Sequence, residues 1–212
     1  MPSSQLRGDS RMKRIWLVRH AHSRSQSGED PDGRNPELSE LGKRQALRLT
    51  TPLTQLEVDC IVLSPLKRAW TTFQIAGISA PHVEFDSRLA ESDWGISGYY
   101  ADILPLSLPP IAAPDPHHAL LTPVEERAAH LLNDLLARDH QNVLLFGHWG
   151  IFGQLFRAFV GLSSRANSVR ATMDNTALSL FEIDEDQQRY IRLWNERMHV
   201  LDLLHSSDSL RS

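Results

Sequence analysis

The chain carries a single cysteine, Cys60, in 212 residues, so no disulfide can form within it. It has no long hydrophobic run either. The opening "MPSSQLRGDSRMKR" is polar and leads into only a few apolar residues, which gives no sign of a secretory leader or a membrane span and makes the cytoplasm the expected compartment. Blocks of one charge sign are missing too: the formal net charge is −4 and is spread along the chain, so no footprint for nucleic acid or anionic lipid is expected. Between Glu91 and Thr122 there is no Lys or Arg at all. That gap disfavours highly anionic bisphosphate substrates unless basic groups arrive from elsewhere.

What is present suits one globular domain, because 41% apolar residues over this length can bury a substantial core. Residues 1–12 read as a flexible tail, 13–204 as a single domain with a lid segment around 92–122, and 205–212 as a second tail. Apolar runs "RIWLV", "VDCIVLS" and "NVLLFGHWG" read as strands, with a short one possible around "HVEFD". Between them, "LSELGKRQALRLTTPL" (N-cap Ser39, apolar face Leu41, Ala46, Leu47, Leu49), "PLKRAWTTFQIAGI", "TPVEERAAHLLNDLLARDH" and "IFGQLFRAFVG" carry helical spacing. "TALSLFEID" and "RYIRLWNE" read as a closing hairpin. The prolines of 104–116 forbid regular structure there. Alternating strands and helices point to an α/β fold, a three-layer α/β/α sandwich with a mostly parallel central sheet, in which ligands sit beyond the strands' carboxyl ends.

Three of these strands end in polar residues of one chemical kind: Arg19-His20, then Ser64 with Arg68 one turn further, then His148. His20 and His22 alone could be a metal-binding pair, as in an amidohydrolase-like barrel. Two arginines brought to the same crevice make a poor metal site, because guanidinium offers only donors. They make a good phosphate site, since guanidinium forks match phosphoryl oxygens, and a neutral imidazole beside them can attack phosphorus.

The sequence around these residues resembles the histidine phosphatase (phosphoglycerate mutase-like) superfamily, on its phosphatase side. "LVRHAHS" is similar to that family's Arg-His-Gly signature, and "PELSELGKRQA", "LSPLKRAWTT", "LAESDWG" and "LLFGHWGIFGQL" resemble its further motifs in the same order. The resemblance implies the phosphoglycerate mutase-like fold and a metal-independent, cofactor-free phosphomonoesterase acting through phosphohistidine on a small phosphorylated metabolite. It implies His20 as the phosphorylated residue, Arg19, Arg68 and His148 as the rest of the phosphate pocket, with His148 stabilising charge if it is protonated, and Glu91 as proton donor, with Asp93 in reserve. A proton-bearing Glu91 implies an optimum on the mildly acidic side. A phosphoglycerate mutase-type phosphotransferase and a silent phospho-ligand-binding module share the same residues.

The departures are Ala21 in place of the signature glycine, and His22 where an acidic residue or Gln is usual. Gln26 stands where mutases have a phosphate-contacting loop residue, which makes Gln26 and His22 substrate-binding candidates. For His117 and His118 exposure is expected, for Ser64 a bond to loop backbone, and for Trp94, Tyr99 and Tyr100 packing. Trp149 is a candidate to shape the pocket. Asn175 resembles a polar position of related phosphatases in one residue only and stays outside the expected catalytic set. Neither the natural substrate nor the oligomeric state is legible.

Overall fold

The computed structural model describes residues 12–30, 35–91, 123–162 and 169–203. The expected tails apart from Met12, the lid segment with Asp93, Trp94, Tyr99, Tyr100, His117 and His118, and residues 31–34, 163–168 and 204 lie outside them.

Among the described residues, six strands form one sheet in the order β3-β2-β4-β1-β5-β6, namely β1 Lys13–Arg19, β2 Cys60–Leu63, β3 His82–Phe85, β4 Asn142–Gly147, β5 Leu178–Ile183 and β6 Arg189–Glu196. β1, β2, β3 and β4 are mutually parallel, whereas β5 runs antiparallel to both β1 and β6. The sheet is therefore mixed but mostly parallel, and the expected closing hairpin is present.

Both faces are covered. Alternate residues Ile15, Leu17, Val62, Val143 and Leu145 pack under α4 (Val124–Ala137) and α5 (Trp149–Phe159). Their neighbours Val18, Ile61, Leu63, Leu144 and Phe146 face α1 (Glu40–Arg48), α2 (Thr50–Thr54) and α3 (Lys67–Ala76) through Leu49, Leu53, Phe73 and Ala76. The period of two along each strand, with both sets buried, makes the three-layer sandwich.

Some boundaries differ from those the sequence suggests. The helix expected through residues 39–53 splits at Leu49, whose N–H turns back to Ala46 O (3.1 Å); Pro52, which has no N–H to give to Arg48, sits in the short second helix. Leu47, expected on the apolar face, is 62% exposed. The strand expected from Val58 begins at Cys60, because Asp59 turns its carboxylate onto the N–H groups of Gln141 (2.6 Å) and Asn142 (3.0 Å). Ser39 caps α1 as expected, accepting from Gly42 N at 3.1 Å.

Candidate active site at the carboxyl ends of three strands

β2, β4 and β1 are adjacent, so the residues just past their carboxyl ends are brought together: Ser64, His148 and Arg19-His20. Arg68 joins them from the first turn of α3. His20 and His148 are buried, at 3% and 0% exposure, with ring centroids 5.0 Å apart. Arg68 Nε donates to His20 Nε2 at 3.3 Å. On the other side of the ring, His20 Nδ1 lies 2.7 Å from Ala21 O. A carbonyl can only accept, so Nδ1 carries the hydrogen and Nε2 keeps its lone pair. Burial, then the Arg68 and Arg19 charges, hold His20 well below the usual histidine pKa. His20 is thus an uncharged imidazole with a defined tautomer.

His148 is also held well below the usual value, by burial first and then by Arg68, His20, Arg19 and Arg127. Full burial beside cationic side chains favours the neutral ring over the protonated one. Its Nε2 lies 2.7 Å from Ser64 Oγ, and its buried Nδ1 has no hydrogen-bond partner among the described residues. The tautomer in which the Ser64 hydroxyl donates to Nε2 puts the ring hydrogen on Nδ1. Ser64 Oγ meanwhile accepts from Leu66 N at 3.3 Å. The serine therefore does more than the backbone role expected of it. Gly147 precedes His148 because a Cβ there would lie 2.8 Å from the Phe152 ring, which packs into the turn.

Arg19 anchors one guanidinium arm on Met173 O (2.6 Å), while its buried Nε has no hydrogen-bond partner among the described residues. Burial lowers its pKa, and the nearby Glu91 carboxylate is the first charge that opposes this. Glu91, the last described residue of its segment, is thus within electrostatic reach of Arg19.

The motif around α1 has a local cause. His22 N donates to Gln45 Oε1 (2.9 Å), Ser39 N donates to His22 O (3.0 Å), and His22 Nδ1 meets Ser39 Oγ (2.9 Å). A Cβ on Gly42 would sit 1.9 Å from His22 O. Ser39, Gly42 and Gln45 therefore clamp the loop that comes after His20. Half-buried His22 has its pKa lowered, chiefly by burial.

Gln26 is exposed, and its side chain is engaged by Ser23 N (3.0 Å to Oε1) and by Asn175. Two residues missed as site members stand out. Asn175 Nδ2 donates to His20 O at 2.9 Å and also meets Gln26 Oε1 at 3.2 Å. It arrives because antiparallel β5 starts where β1 ends, with Leu178 paired to Val18. Next to it Thr176, fully buried with φ +58°, gives its N–H to Arg19 O at 3.1 Å; a β-branched residue in the left-handed region is strained, so the contacts around His20 must hold it there. The second missed residue is Arg127, 2% exposed, whose guanidinium donates to Ala90 O (3.0 Å) and Glu91 O (3.2 Å). Its signal was an arginine four positions before Leu131 on the apolar stripe of a helix.

Nothing in this arrangement resembles a His20–His22 chelate: the first ring faces Arg68 and the second is tied to Ser39. Among curated proteins, the chain is 26% identical over 204 residues to "Putative phosphoserine phosphatase 2" of Hydrogenobacter thermophilus, covering 91% of this chain and all of that one. Two solved structures share the fold: phosphoserine phosphatase of Entamoeba histolytica (TM-score 0.62, 17% identity, 89% of this chain and 100% of that) and a mycobacterial glucosyl-3-phosphoglycerate phosphatase (TM-score 0.62, 22% identity, 86% and 99%). Residues 15–197 match the histidine phosphatase superfamily (branch 1), and the chain belongs to that superfamily.

Proposed function

We propose that the protein is a phosphomonoesterase that works through a phosphohistidine at His20 on a small phosphorylated metabolite. One observation carries the reading: a buried, uncharged His20, its Nδ1 hydrogen engaged by Ala21 O and its Nε2 met by Arg68, stands beside buried donors on His148 and Arg19 that lack hydrogen-bond partners among the described residues. Buried donors are rarely left unpaired without a role, and phosphoryl oxygens are the acceptors these would fit.

In the proposed sequence, Arg68 turns its hydrogen bond from His20 Nε2 to the phosphoryl group, and the freed lone pair attacks phosphorus in line. The P–N bond forms as the ester P–O bond breaks. Arg19, Arg68 and the Nδ1–H of neutral His148 hold the equatorial oxygens, where charge is greatest. Glu91 gives its proton to the departing oxygen, and in the second half-reaction takes one from the water that splits the P–N bond. The charge compensation comes from arginine and imidazole. Arg127, bonded to the backbone on either side of the Ala90–Glu91 peptide, sets where Glu91 stands.

The Entamoeba and mycobacterial relatives act, by their descriptions, on phosphoserine and on glucosyl-3-phosphoglycerate. Both compounds belong in a panel with sugar phosphates, nucleotides and phosphopeptides. Release of p-nitrophenol from p-nitrophenyl phosphate, undiminished by a chelator and abolished in His20→Ala, is the expected result. Failure with every phosphomonoester would overturn the reading in favour of a ligand-binding module.

A further inference from the structure

The sole cysteine lies at the opposite edge of the sheet. Cys60 opens β2 and pairs in register with His82, which opens β3, and Glu84 stands two residues later on the same face. Their ligand atoms, one thiol sulfur, one imidazole nitrogen and one carboxylate oxygen, all lie within 4.8 Å of one another. His82 Nε2 is already 3.0 Å from Glu84 Oε2, about the separation of two ligands on one small ion. The His140 ring stacks on His82 at 5.5 Å, and its Nδ1 is buried with no hydrogen-bond partner among the described residues.

We propose that Cys60, His82 and Glu84, with His140 as fourth donor, form a binding site for a thiolate-seeking divalent ion of the Zn2+ class. Mixed sulfur, nitrogen and oxygen donors in a four-ligand set suit such an ion, whereas Mg2+ and Ca2+ call for oxygen alone. Arg138 supplies the outer shell, pairing with Glu84 Oε1 and hydrogen-bonding the Cys60 sulfur. Its charge does not forbid a dication. Thiolate, Glu84 and adjacent Asp59 together carry three negative charges against one on Arg138, so a doubly charged ion brings the cluster to neutrality. Burial beside Glu84 pushes the free thiol up to about 11, so binding must release its proton, and affinity should rise with pH. The half-exposed His82 ring leaves an entry path. An ion here would tie β2, β3 and the turn after α4 into one unit, away from His20.

Because Cys60 is the only cysteine, cobalt reads the site without ambiguity. Titrating the full chain with Co2+ is expected to produce a thiolate-to-cobalt charge-transfer band that Zn2+ bleaches, along with a higher Tm under Zn2+. Cys60→Ser should lose the band, and His82→Ala should weaken Zn2+ binding roughly tenfold or more with the circular dichroism unchanged. His140→Ala should weaken it as well; unchanged affinity there removes His140 from the set. Phosphatase activity of Cys60→Ser should match that of the wild type. Cobalt binding without a thiolate band, or no binding, would overturn the site, and neither result bears on the role of His20.

Discussion

The two edges of one sheet treat buried charge in opposite ways. At the amino-terminal edge, charged groups are paired or capped. Lys13 Nζ caps the carboxyl end of α4 by donating to the carbonyls of Leu135 (2.7 Å), Leu136 (3.1 Å) and Arg138. Asp59 accepts from two N–H groups at the start of β4, and Glu84 pairs with Arg138. At the carboxyl edge, two imidazoles and two guanidiniums gather instead, and donors on Arg19 and His148 lack partners among the described residues. The first arrangement stabilises the fold. The second costs stability, and on the proposed function it receives a phosphoryl group.

Substitutions at the two edges should therefore separate activity from stability. The largest effect is expected for His20→Ala, with turnover of p-nitrophenyl phosphate falling on the order of 10^4-fold or more while Tm holds or rises. Arg68→Ala should cost about 10^2- to 10^3-fold in kcat/KM, again without loss of Tm. The mirror experiment is Lys13→Met: kcat/KM unchanged, and urea unfolding showing about 1–3 kcal/mol lost as α4 carbonyls go uncapped. If Lys13→Met harmed catalysis as much as stability, the division between edges would fail.

Acid should also act on one edge first. His20 and His148 are neutral in the fold, with pKa values below the 6.5 of an unperturbed histidine. Below that pH the unfolded chain takes up protons that the folded chain refuses. Stability is then complete above 6.5 and falls as the pH drops, by about 1.4 kcal/mol per pH unit for each histidine. Replacing His148 by Asn should remove one proton from that slope in urea titrations at graded pH; an unchanged slope would contradict the neutral ring. On the proposed role of Glu91 as proton donor, Glu91→Gln should lower kcat by on the order of 10^2-fold or more.

The smallest effect is expected for Asn175→Ala. Its amide holds the His20 carbonyl rather than substrate, so kcat should fall roughly tenfold with KM nearly constant, and Asn175→Asp should not restore it, because the lost group is an N–H donor.

How far the sequence already showed these contrasts depends on the element. The strand ends at Arg19-His20, Ser64 and His148 were legible because apolar runs stop abruptly at polar residues and parallel strands share an active edge. Ser39 as a cap, and the α1 motif, were legible as a helix start; that Ser39, Gly42 and Gln45 clamp the His22 peptide was not, since it depends on how closely α1 approaches the loop. Asn175 was hidden by topology: only the antiparallel insertion of β5 beside β1 delivers it to His20. Arg127 was hidden by composition, one arginine in an otherwise apolar stripe. The neutral state of His148 depends on burial next to three arginines, which spacing cannot show.

The central claim, that uncharged His20 attacks phosphorus, is tested most directly by acid-free rapid quenching during turnover, followed by mass spectrometry of the peptides. A phosphoryl group on His20, absent from a His20→Ala chain and formed before hydrolysis of the substrate ester is complete, is the predicted result. Steady turnover with no phosphorylated histidine at any quench time, or the phosphoryl group on another residue, would contradict it.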